Sequence, residues 1–183
     1  MKRKMILSSA VCGVLLALDQ VSKHLVMWNL VEGRDAIDVI DGWLMIVHAR
    51  NIGAAFSILE GQIALFLVFT LGALGILGHM LWQLDDDDWF QALAIGVVGS
   101  GVFGNGIDRA LYGSVTDLIR IYTDHPALKS WLIDHLGTAA WPTFNIADIT
   151  LVVGLLMFFA QTLLFPQAAD AGLDVSAAHP TKG

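Results

Sequence analysis

The chain has 183 residues, of which 56 % are hydrophobic and only 15 % are charged. Soluble domains carry about 25 % charged residues, so this composition argues against a soluble globule, and a mean hydropathy of +0.66 argues against disorder. A net charge of −7 without a basic patch argues against nucleic acid as a partner. The composition is typical of an integral membrane protein.

Four apolar runs predict four transmembrane helices, because a spanning helix needs about 20 mostly apolar residues. The two central runs reach this length alone, and the first and last reach it when their polar flanks lie at the membrane surface. We expect helices at about residues 5–26, 61–84, 89–107 and 144–165, within one membrane-embedded domain over residues 1–166. The Ala-rich residues 167–183 are expected to form a mobile cytoplasmic tail.

The basic residues Lys2, Arg3 and Lys4 predict an N-terminus in the cytoplasm. Four crossings then put residues 85–88 and the C-terminus inside. Residues 27–60 and 108–143 are expected to lie outside.

Between the first two predicted helices, Asp41 and Gly42 stand between short apolar segments. An Asp-Gly pair in this context is typical of a β-hairpin. The predicted fold class is therefore an all-α integral membrane protein, with four transmembrane helices and a small extracytoplasmic β element. A surface hairpin without any chemistry is the alternative interpretation of this element.

Small residues recur every four positions in the third predicted helix, at Gly96, Ser100 and Gly104. This spacing favours close packing against a neighbouring helix. Further along, residues 125–136 predict a short helix whose apolar face comprises Leu128, Trp131, Leu132 and Leu136. We expect residues 118–143 to form a lid at the outer surface, and a passive loop is the alternative.

Ionisable residues near hydrocarbon are costly and therefore suggest function. Asp117 and Asp148 fall on the same membrane face in either orientation of the chain. Two carboxyls that converge can share one proton, so that one activates water while the other polarises a carbonyl. Other interpretations stay open: Asp19 and Lys23 form a simple i, i+4 pair, and Asp148 only anchors its helix at the interface.

Five short motifs follow one another along the chain. They are D-Q-V-S-K at residues 19–23, N-I-G-A-A-F at 51–56, G-N-G-I-D-R at 104–109, G-S-V-T-D at 113–117 and F-N-I-A-D at 144–148. Together, and in this order, they resemble the lipoprotein signal peptidase (signal peptidase II) family, which are aspartic proteases of bacterial membranes.

The resemblance implies an endopeptidase that removes the signal peptide from diacylglyceryl-modified prolipoproteins by cleaving before the lipidated cysteine. It implies a site at the outer face of the bacterial inner membrane, in contact with membrane lipid and without a metal or other cofactor. Asp117 and Asp148 would be the catalytic pair. The residues that bind substrate or support the site would be Asn51, Asn105, Arg109, Asn145, Asp19, Lys23 and Asp108. A small proton-coupled transporter subunit is the alternative function.

The chain departs from the family pattern in three places. Gly106 stands where a larger apolar residue is usual, and Thr116 and Leu118 flank Asp117 where Val and Phe are more common. The interval between Asp117 and Asp148 is also longer than expected. These departures keep the pair intact but leave open how the site is covered on its outer side.

Overall fold

The computed structural model describes residues 2–53 and 62–164, and the predicted tail at 167–183 lies outside them. The described residues form five helices and three strands. In order, the elements are α1 (Arg3–Asn29), β1 (Ala36–Ile40), β2 (Leu44–Asn51), α2 (Ile63–Gln83), α3 (Trp89–Tyr112), β3 (Val115–Ile121), α4 (Pro126–Leu136) and α5 (Ile146–Leu164).

The predicted count of four spanning helices is confirmed for three of them. Helices α1, α2 and α3 are long and apolar enough to cross a membrane, whereas α5 is a shorter apolar helix. The predicted boundaries also move: α1 continues to Asn29, and α3 continues past residue 107 to Tyr112. Helix α3 ends there because Gly113 adopts the left-handed conformation, with φ at 71°, that glycine tolerates at a helix C-terminus.

Helix α3 is the buried centre of the bundle and packs against α1, α2 and α5. A Cβ added to Gly96 would lie 2.5 Å from the backbone oxygen of Ser8 in α1. A Cβ added to Gly104 would lie 2.5 Å from Oδ2 of Asp19. Ser100, between the two glycines, is buried. The predicted close packing of these small residues is therefore confirmed, since the backbones of α1 and α3 approach where side chains are small.

Lys4 joins the first turn of α1 to the last turn of α2. Its side chain is buried, and Nζ donates to the carbonyl oxygens of Trp82, at 3.1 Å, and of Leu84. The last carbonyls of a helix have no intrahelical donor, and a cation there is favourable. The N-terminus of α1 and the C-terminus of α2 therefore lie at the same end of the bundle.

The three strands form one antiparallel sheet in the order β1-β2-β3. The predicted hairpin is confirmed, and Gly42 in its turn has a φ of 73°. Strand β3 is absent from the sequence prediction. Asp117 lies in this strand, opposite Ala49 of β2. No alternation of apolar and polar residues marks this strand, because its first four residues are all buried.

The short helix predicted at residues 125–136 is confirmed as α4. Leu128 and Leu132 line a cavity of about 270 Å³ together with Trp43 from the hairpin. The expectation that Trp131 shares this face is wrong: its ring stacks on His135, with centroids 4.5 Å apart, and does not line the cavity. At 3.6 residues per turn, Leu132 and Leu136 lie to one side of Leu128 and Trp131 lies to the other side, so Trp131 is at the edge of this face. The function of α4 as a lid stays a prediction.

Replacing Gly104 by Ala should destabilise the protein by about 1–3 kcal/mol, because the added methyl group overpacks the contact with Asp19. Thermal unfolding in detergent measures the effect. Gly99→Ala is the matched control on the same helix, since its Cβ would meet Cys12 Sγ at an ordinary 3.7 Å. Equal unfolding temperatures for the two variants would contradict the close packing at Gly104.

Candidate active site

The first turn of α5 fixes the position of Asp148. Oδ1 of Asn145, the residue before the helix, accepts the backbone N–H of Asp148 at 2.9 Å. In return, Oδ2 of Asp148 accepts the backbone N–H of Asn145 at 3.1 Å. This reciprocal arrangement is a capping box, which satisfies two backbone donors at a helix start. The carboxyl of Asp148 is therefore held in one orientation.

A second helix completes this cap. Oδ1 of Asp19 in α1 accepts the backbone N–H of Ala147 at 2.8 Å. A carboxylate is favourable at a helix N-terminus because the unpaired N–H groups carry partial positive charge. The buried Asp19 therefore attaches α1 to the start of α5, directly beside Asp148.

Asn145 also connects Asp148 to Asp117. Its Nδ2 donates to Oδ1 of Asp117 at 2.9 Å. The same nitrogen lies 3.2 Å from Oδ1 of Asn105 and 3.3 Å from the carbonyl oxygen of Thr116. Asn145 is fully buried, so one side chain at the junction of β3 and α5 determines how the two aspartates are placed.

Two other asparagines bind the remaining carboxyl oxygens. Nδ2 of Asn51, at the end of β2, donates to Oδ2 of Asp117 at 3.1 Å. Nδ2 of Asn105 in α3 donates to Oδ1 of Asp148 at 2.8 Å. Each of the four carboxyl oxygens of the pair therefore accepts a hydrogen bond from an asparagine. These donors are neutral, so they orient the carboxyls without cancelling their charge.

Lys23 lies behind the pair and is completely buried. Its Nζ contacts Oδ2 of Asp19 at 2.9 Å, Oδ2 of Asp108 at 3.1 Å and Oδ1 of Asn105 at 3.2 Å. An ammonium has three donors, and these contacts use all of them. Asp108 also accepts the backbone N–H of Thr116 at 2.9 Å. Asp19 and Lys23 are therefore more than a simple i, i+4 pair, since their contacts link α1 to α3 and, through Asp108, to β3.

Gln20 belongs to this cluster but is not among the predicted site residues. Its Nε2 lies 3.1 Å from both Oδ2 of Asp19 and Oδ1 of Asp108, and 3.3 Å from the carbonyl oxygen of Gly104. The sequence signal that points to Gln20 is its position inside the first motif, D-Q-V-S-K.

Arg109 is half-buried at the edge of this cluster. Its guanidinium lies 4.6 Å from the centroid of the Phe66 ring, a cation–π contact, and Nη1 donates to the carbonyl of Asn105 at 3.4 Å. Within residues 2–53 and 62–164 Arg109 forms no salt bridge. Its charge nevertheless interacts at longer range with Asp148. Phe66 has no signal in the sequence, because its contact with Arg109 depends on how α2 packs.

Negative charge is in excess at the site. Two cations, Lys23 and Arg109, face four carboxyls, which belong to Asp19, Asp108, Asp117 and Asp148. The pKa of Asp117 is raised to about 6, because burial and the nearby Asp148 carboxylate together outweigh the hydrogen bonds from two asparagines. A carboxyl with this pKa can hold a proton close to neutral pH.

The structure brings all nine predicted site residues into one connected cluster. Asn51, Arg109 and Asp148 are partly exposed, and the other six are buried. Of the motif at residues 51–56, the first three residues are described, and positions 54–56 lie outside the described residues.

The sequence matches the family described as signal peptidase (SPase) II over residues 11–164. A lipoprotein signal peptidase of Enterococcus faecalis is 32 % identical and aligns over 94 % of this chain and 97 % of its own length. One from Bacillus pumilus is 34 % identical over 82 % of this chain and 88 % of its own. One from Maridesulfovibrio salexigens is 36 % identical over 82 % of this chain and 91 % of its own length.

Two solved structures share the fold. Both are bacterial membrane enzymes determined by the in meso method, at 1.9 Å and 2.3 Å resolution. The first has a TM-score of 0.75 and 30 % identity, and covers 91 % of this chain and 97 % of its own. The second has a TM-score of 0.73 and 29 % identity, and covers 96 % of this chain and 99 % of its own. These comparisons give no support to the transporter alternative.

The free energy of unfolding should depend on pH through the titration of Asp117. Its pKa is about 3.8 for an ordinary aspartate and about 6 here, so the folded state binds this proton more tightly than the unfolded chain. The resulting stabilisation is present below about pH 4 and is lost as the pH rises through about 6. The unfolding temperature of the wild type should therefore fall relative to that of Asp117→Asn between about pH 4 and about pH 8.

Thermal unfolding of both proteins across this pH range measures the difference. Asp134→Asn, on the exposed surface of α4, is the matched control and should follow the wild type at every pH. Parallel curves for the wild type and Asp117→Asn would contradict the raised pKa.

Proposed function

The chain belongs to the signal peptidase II family of aspartic endopeptidases, and we propose that Asp117 and Asp148 are the catalytic pair with which it removes signal peptides from prolipoproteins. The observation that carries this proposal is the position of Asn145. It donates to Asp117 at 2.9 Å and, through its backbone N–H, to Asp148 at 3.1 Å. Two carboxyls in contact with one buried residue suit a reaction in which they act together.

The proposed mechanism divides hydrolysis between the two carboxyls. The ionised member accepts a proton from a water molecule as that water attacks the scissile carbonyl carbon. The protonated member donates a hydrogen bond to the carbonyl oxygen, where negative charge develops. The carbon–nitrogen bond then breaks as the pair gives one of its two protons to the leaving nitrogen, and the pair returns to its singly protonated state. No metal or organic cofactor takes part in these steps.

The polar residues around the pair have separate proposed roles. Asn51, Asn105 and Asn145 orient the carboxyls through the hydrogen bonds described above. Arg109 binds the substrate, because its guanidinium is half-exposed beside the pair and forms no salt bridge in the described part of the chain. Asp108, Asp19 and Lys23 support the site by linking the helices and the strand that carry the pair.

The proposed substrate is a prolipoprotein whose cysteine carries diacylglycerol. An apolar groove of about 320 Å³ lies against Asp148, with Trp141 and Phe144 at one end and Ile149, Val152 and Val153 of α5 along it. Such a surface suits a lipid-modified peptide better than a polar one. Cleavage just before the lipidated cysteine would place the scissile bond where the aspartates meet this groove.

The proposed topology puts the site at the outer face of the bacterial inner membrane. Lys4 and the end of α2 lie at one end of the bundle, whereas Asp148 lies in the first turn of α5, next to the sheet that carries Asp117. Basic residues favour the cytoplasm, so the end with Lys4 is assigned to the inside. In this proposal α5 is the fourth span and residues 1–166 form a single domain, with both termini in the cytoplasm.

Asp117→Asn and Asp148→Asn should each lower processing by at least about 100-fold, because an amide keeps the shape of the side chain but cannot serve as the base. The assay uses purified protein in lipid and a prolipoprotein that carries diacylglycerol, and it measures release of the signal peptide. The same precursor without the lipid should remain uncleaved.

Asp134→Asn is the control for the loss of a carboxyl far from the pair, and it should process substrate at the wild-type rate. Unfolding temperatures of all variants show whether a loss of activity is a loss of folding. Substantial cleavage by either Asp117→Asn or Asp148→Asn would remove that residue from the mechanism.

A further inference from the structure

The side chain of Phe66 is the contact that determines where the guanidinium of Arg109 lies. The ring centroid is 4.6 Å from Arg109 Cζ. The other contact, the hydrogen bond to the carbonyl of Asn105, is long at 3.4 Å. Arg109 also lacks an ion-pair partner among residues 2–53 and 62–164. Among the described residues, the flat ring is therefore the main surface that restrains this half-buried cation.

Phe66 also packs against the motif that begins with Asn51. A Cβ added to Gly53 would lie 3.2 Å from the Phe66 ring, and Gly53 has a φ of 89° that favours glycine. Gly53 in turn donates its backbone N–H to Oδ1 of Asn51 at 2.9 Å. The ring therefore touches the two segments that carry Arg109 and Asn51.

The departure of this chain at Gly106 explains how Phe66 reaches this position. A Cβ at Gly106 would lie 2.6 Å from Cγ2 of Thr70, so a larger residue there would force Thr70 or its helix to move. Thr70 is one turn from Phe66 and donates its hydroxyl to the Phe66 carbonyl at 2.9 Å. Arg109 is one turn from Gly106 in α3. The Gly106–Thr70 contact therefore sets the position along α3 at which the Phe66 ring meets Arg109.

We propose that Phe66 is a positioning residue that holds Arg109 toward the substrate, and that Gly106 and Thr70 provide the helix contact that places it. This inference rests on the proposed function of Arg109 as a substrate-binding residue. A cation over an aromatic face is attracted by the negative charge of the ring face. An aliphatic side chain of similar size fills the same space without this attraction.

Phe66→Leu should lower kcat/KM by about tenfold, which corresponds to a cation–π contact of about 1.4 kcal/mol. Most of the loss should appear as a higher KM, because Arg109 holds the substrate before and during the reaction. Phe66→Tyr keeps the ring and should stay close to the wild type. Phe69→Leu is the matched control on the exposed side of α2 and should change neither parameter.

A double-mutant cycle tests whether Phe66 acts through Arg109. Phe66→Leu should cause no further loss when Arg109 is already replaced by Ala, because the interaction that it removes is absent. Losses that simply add would overturn the proposal and leave Phe66 a packing residue.

The helix contact has its own test. Gly106→Ala should lower kcat/KM, and Thr70→Ser in the same protein should restore it, because Ser removes Cγ2 and keeps the hydroxyl. Gly75→Ala is the control, since nothing lies within 4 Å of its added Cβ. Wild-type kinetics for Gly106→Ala, or no restoration by Thr70→Ser, would overturn this part.

The outcomes separate this inference from the proposed function. Cleavage by the wild type together with wild-type kinetics for Phe66→Leu would overturn the inference alone. Cleavage that survives Asp117→Asn would overturn the proposed function first.

Discussion

The buried ammonium of Lys23 is the interaction on which the arrangement of the site depends. It lies among Asp19, Asp108 and Asn105, and these acceptors reach two further elements, α5 and β3. Asp19 caps the start of α5, Asp108 holds the backbone of β3, and Asn105 donates to Asp148. A charge in a dry interior is tolerated only when it is paired and fully hydrogen-bonded. The cluster is therefore stable only when α1, α3, β3 and α5 are correctly placed relative to one another.

This arrangement also places the two aspartates of the proposed catalytic pair without a cation in direct contact with either. Asp117 and Asp148 receive hydrogen bonds from asparagines and from the backbone, and neither pairs with Lys23 or Arg109 in a salt bridge within the described residues. A direct cation would hold both carboxyls ionised. Neutral amides fix the geometry and leave the pair free to keep one proton. The residues that position the two carboxyls are thus different from the residues that balance the negative charge.

The sequence predicts most of the site and less of its surroundings. Asp117, Asp148 and their asparagines are identified through the resemblance of the ordered motifs to a known family, whereas the residues by themselves leave proton transport and helix anchoring open. The hairpin is predictable from its Asp-Gly turn. Strand β3 is not, because its buried residues show no alternation. Phe66 is not predictable either, because its contact arises from the packing of α2 on Gly106, which no local pattern encodes.

The most direct test of this account is the replacement of Lys23 by Met, with Lys129→Met as the control. Lys23→Met leaves two carboxylates buried without a cation and should cost about 3–5 kcal/mol, with a loss of signal-peptide processing. Lys129 pairs with Asp124 on the surface at 3.0 Å, so its loss should cost less than about 1 kcal/mol and leave processing intact. Unfolding in detergent and the processing rate should be measured for both variants. Wild-type stability and processing in Lys23→Met would contradict the central role of this buried charge.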